Sequence, residues 1–414
     1  MDVVIIGAGA AGIGAARELK RLGKSCLVIE ARERAGGRVF TDTSLGQSFD
    51  TGAAYIHFAA TNPWSTIAAE FSVEPQGGYR LWAGSTAYRH GRALSAAEMA
   101  RRGTSNRSLA EAYDDVEEAS DISLAKALDE EDQEVRDLGR IQAQMAAGED
   151  PQWISTSDWQ RLEGGQNHIV PGGYGTLVRQ AAEPLGVRLG VKATAVDWSG
   201  QGVSVTTDSG VIRAHTAIIT VSVGVLQAGH IRFTPALPQA TAQALAGLRM
   251  GALTKVALQF GAERFDFQPH QFLSEIGDPA RAMTFETWPF GHEHVIAVCG
   301  GDYARGLARQ GEAAMVDHAL ERFTKIAGGE ARKAFKRGRL TAWSEDPLSL
   351  GSYAVALPGR MSSREALAQP IAERLWLAGE ATAANYSMTA GGATIAGRDA
   401  AQQIVKHLDA PRSR

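Results

Sequence analysis

The chain has 414 residues, 44% of them hydrophobic and 21% charged, with a formal net charge of −4. That length supports two domains with sizeable cores, and the slightly acidic balance excludes an electrostatic grip on nucleic acid. Two cysteines, Cys26 and Cys299, are too few for a disulfide framework or a metal cluster, so no metal is expected, and no apolar run reaches the ~18 residues that cross a bilayer.

The first strand begins almost at Met1, with no signal peptide ahead of it. The expectation is a soluble cytoplasmic protein without a membrane partner, monomeric or homodimeric. Val3 to Ile6 is a continuous apolar, β-branched run, as in a strand buried on both faces of a parallel sheet. Gly7, Gly9 and Gly12 follow in G-x-G-x-x-G spacing. Gly7 permits a tight turn, Gly9 lets a pyrophosphate approach the backbone, and Gly12 lets the next helix pack on the strand. That helix is expected to run to about Leu22, with Gly23 as its stop, and to turn its N-terminal amides toward phosphate. A second strand, Cys26 to Ile29, ends at Glu30, where a ribose hydroxyl needs an acceptor. The acid disfavours a 2′-phosphate and leaves NAD or FAD. Arg32, Arg34, Gly36, Gly37 and Arg38 then form a basic, glycine-rich turn, read either as a solvated turn or as a source of cations and amides for a pyrophosphate or flavin.

Further along, residues 111–134 carry Glu111, Asp114, Asp115, Glu117, Glu118, Asp121, Asp129, Glu130, Glu131, Asp132 and Glu134 against Lys126 alone. This reads as a solvated helix surface, with electrostatic steering of a cationic substrate as the sharper alternative. Residues 187–198, 202–210 and 217–223 read as strands, and so does "RLWLAGE" at 374–380. A last helix is expected from about Gly392 to His407.

The segment "IEARERAGGRV" (29–39) resembles the signature of the FAD-containing amine oxidases, the family of polyamine and monoamine oxidases. The resemblance continues in the family's order through "FDTGAAYIH" (49–57), "PGGYGTLV" (171–178), "TVSVGVL" (220–226), "LTKVALQF" (253–260), "WSEDPLSLGSY" (343–353) and "LWLAGEAT" (375–382). It implies an α/β fold in two domains. One is a Rossmann-like FAD-binding domain of the glutathione-reductase and p-hydroxybenzoate-hydroxylase kind, discontinuous over 1–78, 169–226 and 340–414. The other is a mixed α+β substrate domain over 79–168 and 227–339.

The resemblance also implies a reaction. Hydride passes from the α-carbon of a primary or secondary amine to flavin N5. O2 reoxidises the flavin to give H2O2, and the imine hydrolyses to an aldehyde plus an amine or ammonia. The partners implied are a small-molecule amine and O2. Rival expectations are a desaturase or isomerase of an apolar substrate, and a flavoprotein without turnover.

Three residues are the catalytic candidates. Lys255 lies in an otherwise apolar strand, so it either snorkels at a strand end or is deliberately buried. The resemblance makes it the lysine that holds a water near flavin N5. His57 alone is as well read as a structural histidine, but the "YIH" context resembles animal polyamine oxidases, which place a histidine beside the substrate amine. With no arginine between Gly52 and Pro63, a carboxylate clamp for amino-acid substrates is not expected. Tyr353 is implied as one wall of a substrate cage, able to receive a cation on its ring.

For the cofactor, the glycine motif and the resemblance together indicate Gly7, Gly9, Ala11, Gly12, Glu30, Ala31, Arg32, Gly37 and Arg38 at the nucleotide, and Ala193 at the adenine. Gly52, Ala53, Ala54, Tyr55, Trp343, Gly379, Thr389 and Ala390 are expected toward the flavin, and the resemblance implies Glu380 beside the FAD pyrophosphate. Ser352 stands where monoamine oxidases carry a flavin-linking cysteine, so FAD is expected to be non-covalent. Thr389 stands where a second cage aromatic is usual, with Tyr386 as a possible substitute.

Overall fold

The computed structural model describes residues 1–77, 84–117 and 120–410. The expected boundary at residue 78, the acid Glu118 and the last four residues lie outside them. Val3–Ile6 pairs in parallel with Cys26–Ile29 on one side and Thr216–Ile219 on the other, and Leu375–Leu377 adds to the far edge. Both faces of this sheet are covered, which explains the unbroken apolar run. Val3 and Ile5 pack under the helices Ala10–Arg21 and Ala390–Asp409. Val4 and Ile6 pack on Val196, Val205 and Ala217 beside a second sheet, ordered Gly210–Ala214, Val203–Thr207, Ala193–Asp197, Arg232–Thr234.

The two covering helices touch through small residues. A Cβ on Gly14 would lie 2.7 Å from the Thr394 carbonyl oxygen, and one on Gly397 would lie 2.0 Å from that of Ala11. The last helix starts at Ala390, two residues ahead of the expected Gly392, because Thr389 caps it. The strand expected over 187–198 is confined to Ala193–Asp197. Gly186 and Gly190 ahead of it take left-handed φ values of 63° and 66°, which bend the chain out of strand geometry. Both cysteines are free; Cys26 is half-buried against the helix layer, and burial pushes the Cys299 thiol up to about 12.

The other large sheet has seven strands, in the order Arg337–Thr341, Leu253–Gln259, His294–Gly300, Met283–Thr287, Gln271–Glu275, Ser85–Arg89, Arg92–Ala93. The period of two sorts its faces. Val256, Leu258, Phe285, Val295 and Ala297 go into one core with Phe323 of the helix Glu312–Ala327. Lys255, Ala257, Ile296 and Glu286 share the opposite face. The strand Arg337–Thr341, which straddles the expected boundary at 340, is the edge of this sheet. Arg232–Thr234, expected in the second insertion, instead completes the four-stranded sheet.

His294, at the start of its strand, is completely buried with its ring edge-on to Phe49. Burial, aided by neighbouring His292, pushes the imidazole down from 6.5 to about 4. The unfolded chain therefore binds this proton more readily. The stabilisation is complete above pH 6.5 and is lost as pH falls toward 4, by about 3 kcal/mol at most. Thermal melts between pH 7 and pH 4 should show the loss, and His294→Leu should flatten that part of the profile; an equally steep profile in the variant would remove His294 from the cause.

Candidate active site

The turn after the first strand is shaped by its glycines. Gly7 has φ 109°, and a Cβ there would lie 2.6 Å from Thr220 Oγ1. A Cβ on Gly12 would lie 2.0 Å from the Gly7 carbonyl oxygen, so strand and helix are in backbone contact. Around Gly9 there is open space within 4 Å of a Cβ position. Gly9 is the N-cap of the first helix and offers no side-chain acceptor to its amides. Ala11, one residue into that helix, is buried in the core beneath this turn.

The basic turn folds back onto this cradle: the Gly36 N–H donates to the Ala8 carbonyl at 2.8 Å, and Gly37 lies against Gly9. Glu30 is buried; its Oε2 accepts from the Ala8 N–H at 2.8 Å and its Oε1 from the Arg32 N–H at 2.9 Å. Each carboxylate oxygen keeps a further lone pair for a hydroxyl. Ala31 follows, half-buried, and Ala193 packs in the same cluster as Ile29. Open space at Gly9, uncapped helix amides and an acid beside them fit the dinucleotide part of FAD.

Gly12→Ala tests this geometry directly, since both atoms in the clash are backbone. The variant should purify with little flavin and melt several degrees lower; wild-type flavin content would show that the contact can relax without cost.

The three cations of the turn are not free. Arg32 pairs with Asp346 at 2.8 Å and donates to Ser349 Oγ at 2.9 Å. Arg34 lies on the Phe40 ring, 3.8 Å from its centroid, and burial pushes its guanidinium down to about 10. Arg38 donates to the Ser352 carbonyl at 2.6 Å and to Glu380 Oε1 at 3.2 Å. A half-buried guanidinium needs such partners, so the turn is held together by its own charges.

Toward the expected flavin position, Glu380 is buried and both its oxygens accept from the Ala354 N–H at 3.2 Å. Gly379 before it is extended, with open space at its Cβ position. A Cβ on Gly52 would lie 1.8 Å from the Arg38 carbonyl oxygen and 3.2 Å from the Trp343 ring. The Ala53 N–H donates to that same carbonyl at 3.2 Å. Trp343 is buried, and Arg32 stands 6.0 Å from its centroid.

Thr389, which stands where a second cage aromatic is usual, is engaged in the last helix. Its Oγ1 accepts from the Gly392 N–H at 2.9 Å and donates to the Tyr386 carbonyl at 2.7 Å, so the residue is a helix cap. Ala390 is buried behind it. Tyr386 is committed to Phe58, with ring centroids 4.8 Å apart, and packs on the helix layer. The acids of 111–134 lie mostly in water: Glu111, Asp114, Asp115, Glu117, Asp129, Glu130 and Asp132 are all exposed.

The catalytic candidates are fixed by backbone partners. Lys255 Nζ donates to the carbonyls of Gly52 at 2.8 Å and Asp50 at 3.1 Å. Burial pushes its amine down, and the Asp50 and Glu286 carboxylates oppose that shift. Asp50, which the sequence reading did not single out, accepts from Thr41 Oγ1 at 2.6 Å and from the N–H groups of Tyr174 at 2.9 Å and Gly175 at 3.3 Å. It thereby caps the helix Tyr174–Ala182, whose N-cap Gly173 has no side chain to do so. Lys255, Asp50, Ala54 and Tyr55 line one cavity together with His270 and Glu286.

His57 stands beside Tyr55, ring centroids 5.8 Å apart, with Nδ1 2.9 Å from Asn167 Oδ1. That acceptor puts the proton on Nδ1 and leaves Nε2 as a lone pair, while burial pushes the ring's pKa down. Tyr353 Oη donates to the Ala146 carbonyl at 2.9 Å, and burial pushes its phenol well up. The Tyr353 carbonyl accepts from the Gly251 N–H at 2.7 Å, and Ser352 Oγ from the Leu253 N–H at 3.0 Å. Both bonds tie this segment to the start of the Lys255 strand. Asn167, His270 and Glu286 also escaped the sequence reading. Asn167 and His270 stand among polar neighbours and Glu286 beside Phe285 and Thr287, so none carried a signal that separates a functional residue from a solvated one.

Together these elements define a flavoenzyme of the amine-oxidase fold, in two domains. A family model described as flavin containing amine oxidoreductase matches residues 10–405, and the chain belongs to that family. It is 28% identical to polyamine oxidase 4 of Oryza sativa subsp. japonica, over 98% of this chain and 89% of that one. It is 26% identical to lysine-specific histone demethylase 1 homolog 1 of the same plant, covering 99% of this chain but 54% of that protein. Among solved structures, cyclohexylamine oxidase from Brevibacterium oxydans IH-35A superposes with a TM-score of 0.83 at 25% identity, covering 99% of both chains. A putrescine oxidase triple mutant superposes with a TM-score of 0.80 at 20% identity, over 98% of this chain and 99% of that one, which shows the shared fold. Among the described residues no helix is long and apolar enough to cross a membrane.

Proposed function

We propose that this protein oxidises primary or secondary aliphatic amines, polyamines above all, with FAD held non-covalently. The observation that carries the reading is Lys255, a buried amine fixed on two backbone carbonyls at the wall of the cavity. When bound, FAD supplies the acceptor for the hydride on the substrate's α-carbon and passes the electron pair to O2, giving H2O2. The rest is positioning, which is what such chemistry asks of a protein.

Lys255 keeps a donor or lone pair for a water once its two carbonyl bonds are made. Tyr353 presents a ring that cannot rotate away, because its hydroxyl is tied to Ala146. His57 offers a neutral Nε2 to an amine N–H, since Asn167 holds the other nitrogen. The polyamine preference is supported by His57 and by the similarity to polyamine oxidase 4 of Oryza sativa subsp. japonica.

The test is anaerobic titration of the purified flavoprotein with putrescine, spermidine, spermine, acetylated polyamines, aromatic amines and L-amino acids. Bleaching by a polyamine, with peroxide on admitting air, is expected. Flavin left oxidised by every amine would sink the reading and turn attention to apolar substrates.

A further inference from the structure

We infer that Phe290 is an end wall of the cavity and sets the length of amine it admits, and that neutral His270 is the positioning residue that latches it there; this rests on the amine-oxidase reading above. Lys255 pairs with Val298 and Val298 with Thr284, so Lys255 lies level with Thr284 across the sheet. The strand of Thr284 ends at Thr287, and the turn beyond it carries Pro289 and Phe290 into the lining of the same cavity. Phe290 therefore closes the cavity away from Lys255, past the strand end, where the far end of a long alkyl chain would reach.

The turn is held rather than relaxed. Trp288 and Phe290 have left-handed φ values of 49° and 56°, and His270 opposite them has 58°, a region that residues with side chains rarely adopt. The Phe290 N–H donates to His270 Nε2 at 2.9 Å, and the two rings meet edge to face with centroids 5.0 Å apart. A backbone N–H can only donate, so Nε2 carries the lone pair and the His270 proton is on Nδ1, 2.8 Å from Glu286 Oε1. The His270 N–H donates to the Thr287 carbonyl at 2.7 Å, which fixes the histidine to the strand end. A second proton would go to Nε2. Nδ1 would keep its bond to Glu286, but two N–H donors would then face each other and the latch would open. His292, on the far side of the turn, is indifferent to protonation, because its Nδ1 donates to the Ser48 carbonyl, 3.0 Å away, in either state. Arg264 lies on the Trp288 ring, 4.7 Å from its centroid, and stays charged throughout. Asp50, Tyr55, Lys255 and Glu286 share the cavity with His270. Their titration, like that of the amine itself, acts on short and long alkylamines alike and cancels in the ratio of the two.

The test uses the full-length, flavin-loaded enzyme and follows kcat/KM for octylamine over that for butylamine from pH 9 to pH 6. In the wild type the ratio should rise about 10-fold as pH falls, reversibly, the worth of two more buried methylenes. His270→Gln offers Oε1 to the Phe290 N–H and takes no proton there, so its ratio should stay at the wild-type value of pH 9. Phe290→Ala should show the raised ratio at every pH. A wild-type ratio that ignores pH, or one that follows pH equally in His270→Gln, would overturn the latch, and an unchanged ratio in Phe290→Ala would overturn the end wall. Hydrogen exchange at the Phe290 amide, corrected for its intrinsic rate, reads the latch without turnover. Protection should fall on acidification in the wild type and persist in His270→Gln; equal behaviour in both would overturn the latch. Flavin that no alkylamine bleaches, with the expected exchange pattern present, would instead refute the amine-oxidase reading and the length limit with it, while the latch itself would stand.

Discussion

Replacing Lys255 by methionine is expected to slow turnover of a good amine by about 100-fold while FAD stays bound, the low end of what a positioned proton-handling group contributes. Methionine keeps the unbranched shape of the stem, so the strand and its neighbours should be undisturbed. What it removes is the nitrogen held on the carbonyls of Gly52 and Asp50, together with the water that nitrogen would orient. Stopped-flow measurement separates the two half-reactions. A slow anaerobic bleaching step would place Lys255 in amine oxidation, and a slow return of oxidised flavin in air would place it in the reaction with O2. Wild-type rates in both would strike it from the mechanism.

Arg364→Met is expected to be the most destabilising single substitution near the site. Arg364 is 1% exposed, and its guanidinium makes a two-pronged pair with Asp158 at 2.6 and 2.7 Å. It also donates to the carbonyls of Ala354 at 2.8 Å and Ala381 at 3.2 Å, while Asp158 accepts from the Ala356 N–H at 3.1 Å. One pair therefore fastens the segment after Tyr353 to the turn after Glu380. Removing the arginine leaves a buried carboxylate without its counter-charge, at a cost of about 3–5 kcal/mol. A melting temperature lowered by many degrees should result. Adding Asp158→Asn should recover part of it, since the stranded charge is then gone. A loss under 1 kcal/mol for Arg364→Met would show that Asp158 finds water or another partner.

Legibility in the sequence followed the range of the contacts. Val3–Ile6, the glycine turn, the helix to Arg21 and Glu30 lie close together in the chain, and each residue's type answers a local demand. Lys255 stood out because a charge in an apolar strand is costly, though nothing nearby in sequence named its partners, the carbonyls of residues 50 and 52. For Thr389, position in the chain and hydrogen bonds tell two different things. Read by position it is a missing aromatic, and read by its hydrogen bonds it is the cap of the last helix. Asp50 passed unnoticed because a capping aspartate is ordinary, and the amides it caps belong to residues 174 and 175.

By itself the sequence determined the nucleotide cradle and its first two strands, because backbone freedom at Gly7 and an unbroken apolar run are properties of adjacent residues. It also determined that Lys255 lies in an apolar strand. Only the tertiary structure decided that strand register puts Lys255 and Glu286 on one face, that Arg38 meets Glu380 across the fold, and that His270 Nδ1 lies 2.8 Å from Glu286. Those relations depend on which segments pack together, and packing is set by the whole hydrophobic core rather than by any stretch of neighbours.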